Sequence, residues 1–183
     1  MTAPVKEIEC IASRLVYENR WMRLREDHIR RRDGSEALYS VVEKPNFAVS
    51  AAIENGAIHL VEQYRYPLGG RFWELPQGSL ENDADATPLE VARTELREET
   101  GLTARTLTHV GHLALAPGYS AQGYDIFLAT GLSAGSQALG VEEQGLIARA
   151  FPLAEFERMI ADGVIRDATT VAAFGLLRMR GVL

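Results

Sequence analysis

An α+β fold, with helices packed on a mixed sheet, is predicted by three observations. The first half of the chain reads as strands broken by strong turn signals, Asp33-Gly34 and Asn55-Gly56. One helix, lying between Thr87 and Gly101, is punctuated at both ends. The second half mixes strand and helix patterns without the regular alternation that builds a parallel sheet. At 183 residues the chain suits one domain, or one domain with a small module. Folding at this size buries roughly 70% of the unfolded surface, so the core needs no staples.

The elements follow in order. Cys10 to Tyr17 and Trp21 to Arg32 read as strands, Asp33-Gly34 as the turn, and Ala37 to Val42 as the return strand. The run Arg30-Arg31-Arg32 is read as a solvated hairpin tip rather than a binding patch. Pro45-Asn46 marks a boundary, giving an N-terminal β module over 1–45 and a main domain over 46–183. Phe47 to Ile53, Asn55-Gly56 and Ala57 to Tyr64 form a second, more buried hairpin. A loop over Pro67 to Arg71 leads to a short strand, Phe72 to Leu75, that enters Pro76-Gln77-Gly78. A linker rich in Asp, Asn and Ala comes next.

Thr87 and Glu90 match a capping box, and Pro88 falls at the first helical position, where its missing N–H costs nothing. Gly101 stands where a left-handed C-terminal cap belongs. Leu89, Ala92 and Leu96 predict the apolar stripe, with Val91 beside it. Strands are then expected over Thr106 to Leu115 and Tyr124 to Thr130, followed by a polar loop through Glu142-Glu143. Ile147 to Phe151 is a further strand, and helices cover Leu153 to Ala161 and Thr169 to Arg180.

Charge and composition narrow the function classes. The net charge of -6 argues against a broad electrostatic footprint for nucleic acid. No run approaches the ~18 consecutive apolar residues of a membrane span. Met1 to Glu9 carries Lys6, Glu7 and Glu9 and has no apolar core, so no signal peptide is expected. The single cysteine, Cys10, has no internal partner, which suits a cytoplasmic protein. An acidic chain that handles an anionic substrate needs local arginines or bound cations.

Glu95, Glu98 and Glu99 lie three and four residues apart and can project toward one side of the helix. Three like charges this close raise each other's pKa unless cations sit among them. Hard divalent cations such as Mg²⁺ take oxygen ligands of this kind. From the glutamates alone the plainer reading, a solvated acidic face partnered by Arg93 and Arg97, is preferred. Their setting reverses that preference: Gly78 ends a strand-loop upstream, and the helix is capped on both sides.

Glu95-Leu96-Arg97-Glu98-Glu99-Thr100-Gly101-Leu102 behind Gly78 resembles the Nudix box, whose second half it matches at Glu95, Leu96, Glu98, Glu99, Gly101 and Leu102. The family's arginine falls on Thr94 and its first glutamate on Ala86, with two extra residues after Gly78. Arg93 and Arg97 flank the arginine position, though one residue along a helix turns a side chain by ~100°. The resemblance implies a Nudix-type α/β/α sandwich with a mixed sheet, preceded by a small antiparallel β module. Val61 to Pro67, Trp73 to Gly78, and Pro117 placed 16 residues after Gly101 resemble the ADP-ribose pyrophosphatase branch. The segment Met159 to Ala172, with Gly163, Ile165, Asp167 and Thr170, is also similar to it.

That resemblance implies Mg²⁺-dependent hydrolysis of the pyrophosphate of a nucleoside diphosphate sugar, with ADP-ribose favoured and Mn²⁺ as the alternative ion. Glu95 and Glu99 are the implied metal ligands, with Glu98 a third ligand or orienter and the Gln77 carbonyl a further candidate. Glu142 and Glu143 are the carboxylates available as general base, because Gln122 stands where many relatives carry glutamate and an amide cannot act as one. Arg65 is the leading phosphate contact, since a guanidinium grips phosphate oxygens in a fork. Glu74 either contacts substrate or braces the loop, and Gly78 and Tyr119 line the expected substrate site. Trp21, Tyr17 and Phe47 are aromatic candidates for stacking on a base, although a core role is preferred for each; Trp21 is the best placed, behind Asn19 and Arg20. The four histidines show no metal-ligand spacing, and His59 reads as structural. The β module implies a homodimer in which it exchanges between protomers. Two rivals stay open: a Nudix hydrolase of another substrate, such as GDP-mannose or a dinucleotide, and a nucleotide-binding domain without turnover.

Overall fold

The computed structural model describes residues 6–79 and 85–183. The chain divides into two compact units: the N-terminal segment up to Pro45 together with Ala114–Gly123, and Asn46–Leu113 together with Tyr124–Leu183. The predicted linker after Gly78 falls partly on 80–84, outside the described residues.

The smaller unit is an antiparallel sheet of β1 (Ile8–Glu18), β2 (Arg23–Arg31) and β3 (Glu36–Glu43), in that spatial order. The Asp33-Gly34 turn forms as expected, with Gly34 at φ +83° and the Asp33 carboxylate accepting from Ser35 N. The β1–β2 register slips between Cys10 and Ala12 and again between Leu15 and Tyr17. Each slip turns the following side chains to the other face. No residue of β1 is buried, and Ile8, Ile11, Leu15, Val16 and Tyr17 are 40–53% exposed. The Ala114–Gly123 segment joins this unit by main-chain and side-chain bonds. Val42 N donates to Tyr119 O at 2.8 Å, Tyr39 Oη to Gly118 O at 2.6 Å, and Gln122 Nε2 to Pro45 O at 2.7 Å.

The larger unit is built on β4 (Phe47–Glu54), β5 (Ala57–Arg65), β6 (Gly70–Glu74), β7 (Gln77–Gly78), β8 (Leu102–Ala114), β9 (Gly123–Ala134) and β10 (Ile147–Pro152). The main path runs β10-β5-β4-β9-β8; β4 and β9 are parallel, while β5 is antiparallel to β4 and β10, so the sheet is mixed. Among the described residues it also holds the helices α1 (Pro88–Thr100), α2 (Leu153–Ala161) and α3 (Ala168–Met179). The central strand β4 shows the two-sided burial of a sandwich. Val49, Ala51 and Ile53 join the cluster containing Phe156, Phe174 and Leu177 of α2 and α3. Ala48 packs with Val91 and Ala92 of α1, and Ala52 packs with Leu96. Alternate residues of one strand thus serve opposite helix layers.

One irregularity positions everything that follows. The β4–β5 hairpin pairs only at its tip, Ile53 with Ile58 and Glu54 with Ala57. Beyond it the two strands part, and the chain from Gly70 to Gly78 fills the opening. β6 pairs with β5, β7 pairs with β4, and Ser50 N donates to Pro76 O at 2.9 Å between them.

Several expectations shift in detail. The predicted loop over Pro67 to Arg71 holds a 3-10 turn, Tyr66–Leu68, and ends at Gly69 with φ +63°, so β6 starts earlier, at Gly70. β8 starts at Leu102 rather than near Thr106, because Gly101, at φ +73°, sends the chain straight from helix into strand. A side chain at Gly101 would also meet Gly135 O at 2.9 Å. Leu89 does not belong to the buried stripe of α1: it is 40% exposed, and the buried face is Val91, Ala92, Glu95, Leu96 and Glu99. Leu89 lies about 90° around the helix from the centre of that face. The helix buries two glutamates where an ordinary amphipathic helix buries leucines.

Candidate active site

The capping box of α1 is complete. Glu90 N donates to Thr87 Oγ1 at 3.3 Å, and Thr87 N donates to Glu90 Oε2 at 2.8 Å. At the other end Gln137 Nε2 bonds Glu99 O, and Ala138 N bonds Glu98 O at 3.0 Å. Both ends of the helix are therefore satisfied. Gln137 has no role in the sequence reading, because it lies far along the chain and carries no local signal.

This fixed helix aims Glu95 and Glu99 at the opening between β4 and β5. Glu95 lies against Gly78 so closely that a side-chain carbon there would stand 2.5 Å from its carboxylate. That approach explains a glycine at a position where the backbone itself demands none. Glu99 accepts Gln77 N on Oε2 at 2.9 Å. Glu143, on a 3-10 turn (Val141–Glu143), brings a third carboxylate, and ligand oxygens of Glu95, Glu99 and Glu143 lie within 4.8 Å of one another. Oε2 of Glu143 also accepts from Gly140 N at 2.8 Å.

Electrostatically the cluster is unbalanced. Glu95 is 7% exposed and Glu99 2%. Burial, then the nearby charges of Glu143 and Glu98, push the Glu95 carboxyl up to about 7. Burial and the Glu95 charge hold Glu99 well above the usual carboxylate range, against the Gln77 N–H and Arg65, which pull it down. Among the described residues, no lysine, arginine or histidine forms a direct ion pair with any of the three. Three clustered carboxylates without a direct ion pair fit a hard divalent cation, which would displace the protons that Glu95 and Glu99 hold.

The remaining candidates fall into distinct places. Glu98 stands outside the cluster, 33% exposed at its side chain, with Oε1 held by Arg97 Nη2 at 2.9 Å. Arg93 turns to Ala104 O, so neither arginine flanking Thr94 binds Glu95 or Glu99. Ala86, at the family's first glutamate position, packs against the apolar cluster of Ala48, Val91, Ala92 and Phe127. Arg65 and Glu74 are forked together, Nε to Oε1 at 2.8 Å and Nη2 to Oε2 at 2.5 Å. Gln77 Nε2 also donates to Glu74 Oε2 at 2.8 Å. Glu74 therefore braces Arg65 beside the cluster. Glu142 is exposed and is not among the clustered carboxylates. Phe47 stacks on Tyr124, with ring centroids 5.0 Å apart.

Two candidates belong to the smaller unit. Trp21 lies in the β1–β2 turn with the Arg20 guanidinium 3.9 Å over its ring. It lines a cleft of about 390 Å³ together with Asn19, Arg20, Glu43 and Lys44. Tyr119 is 56% exposed, with its main chain bonded to Val42.

Known proteins match both units. A family model of the NUDIX domain matches residues 44–174. A model of the nucleoside diphosphate sugar hydrolase N-terminal domain matches residues 8–42. The chain is 35% identical over 178 residues to an ADP-ribose pyrophosphatase of Mycobacterium tuberculosis, covering 96% of this chain and 84% of that protein. It is 30% identical over 179 residues to the methanol dehydrogenase activator of Bacillus methanolicus, covering 97% and 96%. The crystal structure of an ADP compounds hydrolase superposes with a TM-score of 0.85 at 22% identity, covering 97% and 96%, and shares the fold. The chain therefore belongs to the Nudix family, as a pyrophosphate hydrolase that carries the N-terminal domain of the nucleoside diphosphate sugar hydrolases.

Proposed function

We propose that this enzyme hydrolyses ADP-ribose to AMP and ribose 5-phosphate, with Mg²⁺ as its ion and Mn²⁺ able to replace it. The observation that carries this reading is the Glu95–Glu99–Glu143 cluster, with two of its carboxylates buried and no direct ion pair among the described residues, beside the braced guanidinium of Arg65. The ADP-ribose pyrophosphatase relative, alike over nearly the whole chain, supports the substrate. A divalent ion held here supplies charge neutralisation for phosphate oxygens and activation of a water.

Each residue has a task in this reading. Glu95 and Glu99 would hold the ion, with Glu98 a third ligand or orienter and the Gln77 carbonyl a further ligand. Glu143 takes the proton from the attacking water, and Glu142 is its alternate. Arg65 grips a phosphate oxygen, and Glu74 fixes the direction of that grip. Gly78 leaves room for the Glu95 carboxylate, and Trp21 and Tyr119 contribute to recognition of the nucleoside. The β module over 1–45 mediates a homodimer; the uncovered apolar residues of β1 support that role. We place the enzyme in the cytoplasm, a choice supported by its one cysteine.

The test is a phosphatase-coupled assay on a panel of ADP-ribose, GDP-mannose and a dinucleoside polyphosphate, with and without Mg²⁺. ADP-ribose is expected to turn over fastest, and only with the metal. GDP-mannose as the faster substrate overturns the substrate assignment. Binding of ADP-ribose without turnover at any metal concentration favours a sensing role.

A further inference from the structure

Thr170 is completely buried in the first turn of α3, and its hydroxyl does more than serve its own helix. The N-cap of α3 is already made by Asp167, whose Oδ2 accepts Thr170 N at 2.8 Å. Thr170 Oγ1 donates to the same carboxylate oxygen at 2.7 Å and accepts Leu75 N at 2.8 Å. Leu75 begins the segment that crosses the opening between β4 and β5. Two residues later Gln77 N donates to Glu99 Oε2 at 2.9 Å. The Gln77 side-chain amide, bonded to Glu74, also stands 3.4 Å from Asp167 Oδ2. The segment is thus tied to α3 at its start and reaches back toward α3 at its end. Between those ties it presents one main-chain donor to Glu99.

A helix cap alone needs none of this. Asp167 is sufficient to cap α3, and a valine at 170 would leave that cap intact while freeing Leu75 N. We infer that Thr170, with Asp167, is a positioning residue that acts through Leu75–Gln77 to set the Glu99 carboxylate in the cation site. The inference rests on the reading of the acidic cluster as a divalent-cation site. It does not depend on which diphosphate is hydrolysed. Residues that orient a metal ligand from behind commonly change metal affinity or activity by about 10–100-fold when replaced.

The experiment is a calorimetric titration of the metal-free protein with Mn²⁺, set beside thermal melting of the same samples. Thr170→Val is expected to bind Mn²⁺ about 10-fold more weakly, and Thr170→Ser to stay within about twofold of the parent. Gln77→Met, which loses the side-chain amide but keeps the Leu75–Thr170 bond, is expected to weaken binding severalfold. It carries the test if Thr170→Val does not fold. Parent-like Mn²⁺ affinity in Gln77→Met or in a folded Thr170→Val overturns the inference, as does a serine variant as weak as the valine one. A parent protein that binds no Mn²⁺ overturns the cation-site reading instead, so the two failures are distinct.

Discussion

Glu74 and Glu99 are equally buried, each 2% exposed, and sit at opposite ends of one short hydrogen-bonded path through Gln77. Their partners differ. Glu74 is gripped on both oxygens by the Arg65 fork, so its charge is matched within the fold. Glu99 has a single main-chain N–H and two neighbouring carboxylates, and among the described residues no basic side chain forms a direct ion pair with it, Arg65 acting only from a distance. The first arrangement is complete as it stands and gives rigidity. The second is incomplete, as a site that takes an added ion would be. Burial alone does not mark a functional carboxylate; burial without a matching charge does.

The widest separation between the two glutamates is expected from neutralising each in turn. Glu99→Gln should lower kcat by about 10³-fold or more, since it removes several kcal/mol of transition-state stabilisation that acts through the ion. The same change relieves repulsion in the metal-free protein, so its melting temperature at pH 8 is expected to rise. Steady-state kinetics and calorimetry read the two effects. Near-parent kcat, or a lowered melting temperature without metal, would place Glu99 with the structural glutamates.

Arg65→Met should show the reverse pattern. It strands a buried carboxylate at Glu74 and is expected to cost about 3 kcal/mol of stability in urea unfolding, the low end for a broken pair because Arg65 is partly exposed. Mn²⁺ affinity should change little, while KM for substrate rises. A variant as stable as the parent would mean that the fork does not brace Glu74.

Much of this was legible in the sequence, for local reasons. The caps of α1 are set within a few residues of the helix, so Thr87, Pro88, Glu90 and Gly101 announced it. The hairpins announced themselves through Asp33-Gly34 and Asn55-Gly56. What was not legible depends on residues far apart along the chain. Glu95 is covered by the approach of Gly78, and Glu143 is brought to the cluster by a loop far along the chain. Glu98 was expected as a third ligand or orienter; it lies about 100° from Glu99 around the helix, and its carboxylate meets Arg97. Glu74 stands evenly between substrate contact and brace in the sequence, because its partner Arg65 lies on another strand. Thr170 was named only within the segment that resembles the ADP-ribose pyrophosphatase branch, because its partner Leu75 is 95 residues away.

The smallest of these effects speaks most directly to the central claim, that the acidic cluster is a cation site. Glu95 and Glu99 have folded-state pKa values raised above their unfolded ones. Their contribution to stability is therefore full below about pH 4.5 and is lost as the pH rises through about 7, where Glu95 ionises. Without metal, the protein is expected to lose on the order of 2 kcal/mol of stability between pH 5 and pH 8. Mg²⁺ should restore it increasingly over the same range, because binding displaces those protons. The decisive measurement is a Mg²⁺ titration at pH 6.5 in two buffers of different ionisation enthalpy. The account expects saturable binding with release of about one proton or more per chain. Binding without proton release, or no binding at all, would contradict it.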